Sequence, residues 1–162
     1  MINRAGDHDF FIANTRKLKI LKGGDKFKQY HEFLLAALDL LKEERFFPIE
    51  ANEWEDAARA CLERKISLEE VKNIQEKIEF FRGDLQKDRE LLEENRKKSA
   101  IAELFQFAVE HPDDESRVDT RGTDISNGTG LAQAIDEFSF LYVEYFGREK
   151  DLVHLLKESF SC

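Results

Sequence analysis

The sequence predicts an all-α protein, a compact bundle of about six to seven helices with one long polar loop. Three observations lead there. Apolar residues recur at spacings of three and four along most of the chain, the repeat of one helix face. The interruptions coincide with proline, glycine and capping residues, the signals that start and stop helices. The composition, 41% hydrophobic with 14 Phe beside 36% charged residues, supplies enough apolar material for a core. A chain of 162 residues has the size of one domain and is expected to bury roughly 70% of its unfolded surface without help from a disulfide or metal.

The first stretch, Phe10 to Lys22, admits two readings: Phe11, Leu18 and Leu21 share a helical face, whereas the alternation Lys17-Leu18-Lys19-Ile20 suits a short strand. Helix is preferred. Gly23-Gly24 breaks the pattern, and Asp25 is a suitable N-cap for the next helix. From there to about Phe46, Phe27, Tyr30, Leu34, Leu38 and Leu41 form a stripe that Pro48 ends, because proline disfavours the helical conformation of the residue before it.

Asn52 with Glu55 has the form of a capping box opening a helix to about Lys65, and Ser67 with Glu70 has a cleaner one. In this motif the first side chain accepts from a backbone amide three residues on, and the second reaches back. Val71, Ile74, Ile78, Phe81, Leu85 and Leu92 then run through Gly83 in constant phase, predicting one long helix. Polar Asn95, Arg96 and Ser99 interrupt the stripe, so a kink is expected at 95–99. Ile101 to Glu110 follows as another helix, stopped by His111-Pro112.

Residues 112–130 carry almost no apolar side chains and three of the eight glycines, which predicts the long loop. Leu131, Ile135, Phe138, Tyr142 and Tyr145 form a broad helical face, Gly147 a C-cap, and Leu152 to Phe160 a terminal helix. Three Phe-Phe doublets, at 10–11, 46–47 and 80–81, are read as core corners, since large apolar side chains are buried by default.

Charge narrows the function classes. The net charge is -9, which argues against nucleic acid as a partner, because phosphate neutralisation needs clustered Lys and Arg. Residues 1–24 hold five basic and two acidic side chains (+3), and residues 112–162 five basic and eleven acidic (-6). No apolar run approaches the ~18 residues of a membrane span, and Met1 to Asp9 lacks a secretory core. Cys61 and Cys162 are too far apart in sequence to suggest a disulfide framework or metal pair. A cytoplasmic protein with reduced thiols is expected, with no membrane partner.

No catalytic residue, cofactor or metal is assigned. His154 has Asp151 and Glu158 at helical spacing, but a closed metal site needs three or four ligands and this spacing arises readily in so charged a chain. His31, flanked by Phe27 and Leu35, reads as a core-edge histidine. The acidic loop lacks the ligand order of an EF-hand. Gly128-Thr129-Gly130 lacks the strand and lysine of a phosphate loop, and Cys61 among Ala57, Ala58 and Leu62 reads as a structural thiol.

Two function classes follow. The first is a non-catalytic protein-binding module: an acidic helical inhibitor of the immunity type that neutralises a basic protein partner such as a nuclease toxin. Its candidate residues are Asp113, Asp114, Glu115, Asp119, Asp124, Asp136, Glu137, Glu144 and Tyr145, an aromatic anchor inside an acidic rim. The second is an enzyme, or a small-ligand or metal-binding helical protein, with a site between helices. The charged helical stretch from Ser67 to about Lys98 is compatible with a monomer or a homodimer.

Overall fold

The computed structural model describes residues 26–87, 92–111 and 128–160, and every regular element among them is a helix. The chain is all-α. Helix α1 is Lys26–Leu40, followed by a short 3-10 turn at Leu41–Glu43; α2 is Ala51–Leu62, α3 Leu68–Gln86, α4 Glu93–Ala108, α5 Gly128–Phe146 and α6 Glu149–Phe160. They fall into two compact units, one drawn from residues 1–33 and 115–162 and the other from 34–114. The reading of Phe10 to Lys22 lies outside the described residues, as does the Asp25 cap.

In the 34–114 unit, α2, α3 and α4 pack pairwise against one another. Trp54 of α2 is the pivot, meeting Phe81 of α3 at 5.0 Å and Phe105 of α4 at 5.8 Å between ring centroids, both edge-to-face. Phe47 meets the same Phe105 at 6.2 Å. Leu34, Leu38 and Leu41 contribute buried side chains to this unit. Each fully buried large side chain contributes about 1.5–3 kcal/mol.

In the other unit, Phe33 of α1 sits edge-on to Phe138 of α5 at 5.9 Å, and Tyr142 follows one turn along. Ile135 of α5 and Leu152 and Leu156 of α6 are buried too. The helices α5 and α6 are separated by Gly147 and Arg148, both with positive φ, +70° and 60°. The Gly147 amide closes α5 on the carbonyl of Val143 at 2.9 Å, so the expected C-cap is present.

Local signals fared unequally. The Ser67 Oγ accepts from the Glu70 amide at 3.1 Å, as the capping box requires. The Asn52–Glu55 box does not form. Instead, the helix has already begun at Ala51, and the Asn52 amide, to which Glu55 would reach back, is taken by the carbonyl of Ile49, so Asn52 lies inside the helix rather than at its cap. Glu55 turns to Lys42 and Arg59.

Two boundaries also differ. The α1 helix ends at Leu40 rather than near Phe46, because the backbone extends at Glu44 and Phe47 turns inward against Phe105. The described stretch is continuous helix through 95–99, where a kink was expected, and the departure from helix is seen at Leu92, whose backbone is extended. Leu92, 57% exposed, becomes the N-cap of α4, and Glu93 and Glu94 in its first turn pair with Lys97 and Lys98, a placement of charge that suits a helix start. Asn95, Arg96 and Ser99 are therefore interior to a helix.

Candidate partner-binding groove

The Trp54–Phe81 contact sets α2 and α3 side by side, and next to it their surfaces diverge into a groove. Its floor is apolar: Ala57 and Ala60 from α2, Ile74 from α3 and Ile66 from the connection between them line a cavity of about 380 Å3. Its rim is charged. Glu53 and Asp56 stand on the α2 side, Glu70 and Lys77 on the α3 side, and an ion pair from Lys77 Nζ to Glu53 Oε1 crosses between the helices.

The surface continues along α3. Asn73, Lys77, Phe80 and Asp84 follow at spacings of four, three and four, so they share one helix face. Phe80 is 71% exposed and lines a second depression of about 410 Å3 with Glu76, Glu79, Gly83, Asp84 and Lys87. At Gly83 an added Cβ would meet nothing within 4 Å, so the space beside the ring is open. At 1.5 Å per residue, the face from Glu70 to Asp84 is about 21 Å long.

Most of its carboxylates are not neutralised internally. Glu53 has Lys77, Asp84 has Lys87 at 3.3 Å, and Glu70 accepts from Ser67. Asp56, Glu76 and Glu79 take part in no ion pair among the described residues. An exposed aromatic ring beside uncompensated charge of one sign departs from the default, in which large apolar side chains are covered.

The residues expected from sequence to meet a partner are distributed differently. Asp113, Asp114, Glu115, Asp119 and Asp124 lie outside the described residues. Asp136 is only 1% exposed, so its carboxylate is not available to an external partner. Glu137 and Glu144 are exposed, seven residues or about 10 Å apart on one face of α5, with Tyr145 37% exposed beside them. Tyr142 is fully buried.

Phe80 is the residue that sequence reading missed. The doublet at 80–81 marked the place, but only Phe81 enters the core, against Trp54. The available signal was phase: Phe80 lies off the stripe of Val71, Ile74, Ile78 and Phe81, with Glu76, Glu79 and Asp84 at offsets of four, one and four. Phe46 of the other described doublet is half-buried under the Arg45 guanidinium at 5.3 Å.

Other chemistry-bearing side chains are occupied structurally. Burial pushes the Cys61 thiol up to about 12, a hydrogen bond with the Glu110 backbone opposing this and the Glu110 charge adding to it. His31 is fully buried rather than at the core edge. His154 Nε2 lies 2.9 Å from Glu158 Oε1, and among the described residues no three His, Cys, Asp or Glu side chains are grouped to hold a metal. No described helix is long and apolar enough to cross a membrane. Comparison with protein-family models, curated proteins and solved structures gives no match.

Proposed function

We propose that the protein is a non-catalytic binding module that holds a basic protein partner along the α2–α3 groove. The observation that carries this reading is the presence on one helix pair of two acidic-edged surfaces, an apolar-floored groove with Asp56 at its edge and, further round α3, the exposed Phe80 ring beside Glu76 and Glu79. Apolar area and an aromatic anchor supply affinity, while a predominantly acidic rim steers and selects partners of the opposite charge. Glu137, Glu144 and Tyr145 add a second acidic, aromatic edge on the other unit.

Within this reading the partner is captured in the manner of an immunity protein on a nuclease, whose basic surface serves its phosphate substrate. A cytoplasmic setting belongs to the same proposal, where Cys61, a free thiol, stays reduced.

The test is a tagged capture from the native host with the wild-type chain and the triple variant Asp56→Lys, Glu76→Lys, Glu79→Lys, washed at increasing salt. A stoichiometric basic protein that the wild type retains, that salt releases and that the variant fails to hold supports the reading. Retention that is indifferent to the three charge reversals overturns it.

A further inference from the structure

We infer that the Phe80 side of α3 is a self-association surface, which seats α3 of a second copy of this chain antiparallel to its own. The inference goes beyond the binding-module reading and does not depend on it. Phe80 stands two residues from the fully buried Ile78, a rotation of about 200° on a helix, so its ring points away from the core. Glu76, Phe80, Gly83 and Lys87 follow at spacings of four, three and four, the repeat of the seam along which two helices meet. Lys87 keeps helical backbone angles beyond the last residue of α3. Ile74, in the α2–α3 groove, stands about 120° round the helix from Phe80, so the groove stays open in the pair. A second copy and a basic partner compete only for the Phe80 side.

Shape selects the register. Two antiparallel helices related by a twofold axis make every contact twice, residue i on j and j on i. With the axis between Phe81 and Arg82, Phe80 faces Gly83 of the second copy. An added Cβ at Gly83 would meet nothing within 4 Å, so a ring has room there.

Charge selects the same register. Glu76 falls opposite Lys87 of the second copy, and on the flank Asp84 faces its Lys77. Glu76 takes part in no ion pair among the described residues, and Lys87 holds only the exposed Asp84 at 3.3 Å, a contact that costs little to exchange. Lys77 already meets Glu53, but an ammonium has three donors and can serve a second carboxylate. The alternatives are repulsive. A parallel pair sets Glu76 on Glu76 and Lys87 on Lys87, and an antiparallel pair centred on Phe80 sets Glu76 on Asp84. One ring and a few exposed charges make a small contact, of the weak and reversible class that buries less than about 1,200 Å2. The dissociation constant is therefore on the order of tens of micromolar.

The experiment is sedimentation equilibrium of the full chain from about 1 to about 500 µM, a range that brackets such an equilibrium. The wild type should pass from monomer to dimer. Phe80→Ser should weaken the dimer about tenfold in a protein whose own melting is unchanged. Glu76→Lys, which sets Lys against Lys87 of the second copy, should weaken it by a similar factor. The double variant Glu76→Lys, Lys87→Glu reverses both members of that pair at unchanged net charge, and should restore the wild-type constant.

A monomer at every concentration overturns the inference, as does a dimer indifferent to Phe80→Ser. A double variant that stays as weak as Glu76→Lys overturns the antiparallel register.

Discussion

The side-chain amide of Gln75 on α3 donates to the carbonyl of Val109, 2.5 Å away across 34 positions of sequence, and to that of Gln106 at 3.1 Å. A helix ends with carbonyls that lack intrahelical donors. Gln75 satisfies two of them at the end of α4 from a neighbouring helix, beside the Glu110 backbone that touches Cys61. Gln75→Leu should therefore lower stability by about 1–3 kcal/mol, the cost of leaving buried acceptors unpaired. Urea denaturation would show this as a lower midpoint with an unchanged slope.

The adjacent phenylalanines of α3 should behave in opposite ways. Phe81→Ala opens a hole against Trp54 and should cost about 2–3 kcal/mol, somewhat under the range for a fully enclosed Phe because Phe81 is only partly covered. Phe80→Ser removes a ring that is mostly in water and should change stability by less than about 0.5 kcal/mol. The fluorescence of the single tryptophan, Trp54, follows the unfolding of both variants.

Glu55 is a pH-sensitive element with a definite sign. Burial works against its charged form, but hydrogen bonds from Lys42 and Arg59 outweigh it and hold the carboxyl below its usual 4.5. Lys42 is raised above 10.5 by hydrogen bonds to Glu55 and Asp39. The Glu55 contribution is thus fully present above about pH 4.5 and disappears as pH falls through its lowered value. The Lys42 contribution holds below pH 10.5 and disappears only at higher pH. The wild type should exceed Glu55→Gln by about 0.5–1 kcal/mol at neutral pH, Lys42 and Arg59 being largely exposed, and the two curves should converge as the solution is acidified.

Cys61 gives the reverse slope. A thiol raised from 9.0 to about 12 in the folded protein stabilises the fold fully below pH 9 and progressively less above it, because the unfolded thiol ionises first. In a Cys162→Ser background, Cys61 should resist a disulfide-exchange reagent at pH 8 in the native protein and react promptly in denaturant. Fast native labelling would contradict its enclosure.

Signals confined to one turn were legible. Ser67 with Glu70 and Gly147 did what their chemistry allows, since both ends of each interaction lie within a few residues. Asn52 misled because Pro48 to Glu50 wound into the helix start and supplied carbonyls that no local rule anticipates. The polar run at 95–99 misled because a helix tolerates Asn95 and Arg96 once Glu93 and Glu94 have anchored its first turn. The groove was less visible still. Ile74 read as an ordinary stripe residue and Ala57 as a neighbour of a structural thiol, and only the pairing of α2 with α3 brings them together with Ala60 and Ile66 around a groove. Acidic character was plain in the composition, but which carboxylates stand together depends on tertiary packing, and Asp136 went to the interior.

The turn between α5 and α6 has a consequence for the durability of the protein. Glycine adopts positive φ freely, whereas Arg148 does so at an energetic cost that side-chain contacts elsewhere must offset. The chain therefore retains at position 148 a margin of stability that evolution has left unclaimed: asparagine, which tolerates this conformation, is the replacement by which a hardier version of the protein would be sought, with the groove left untouched.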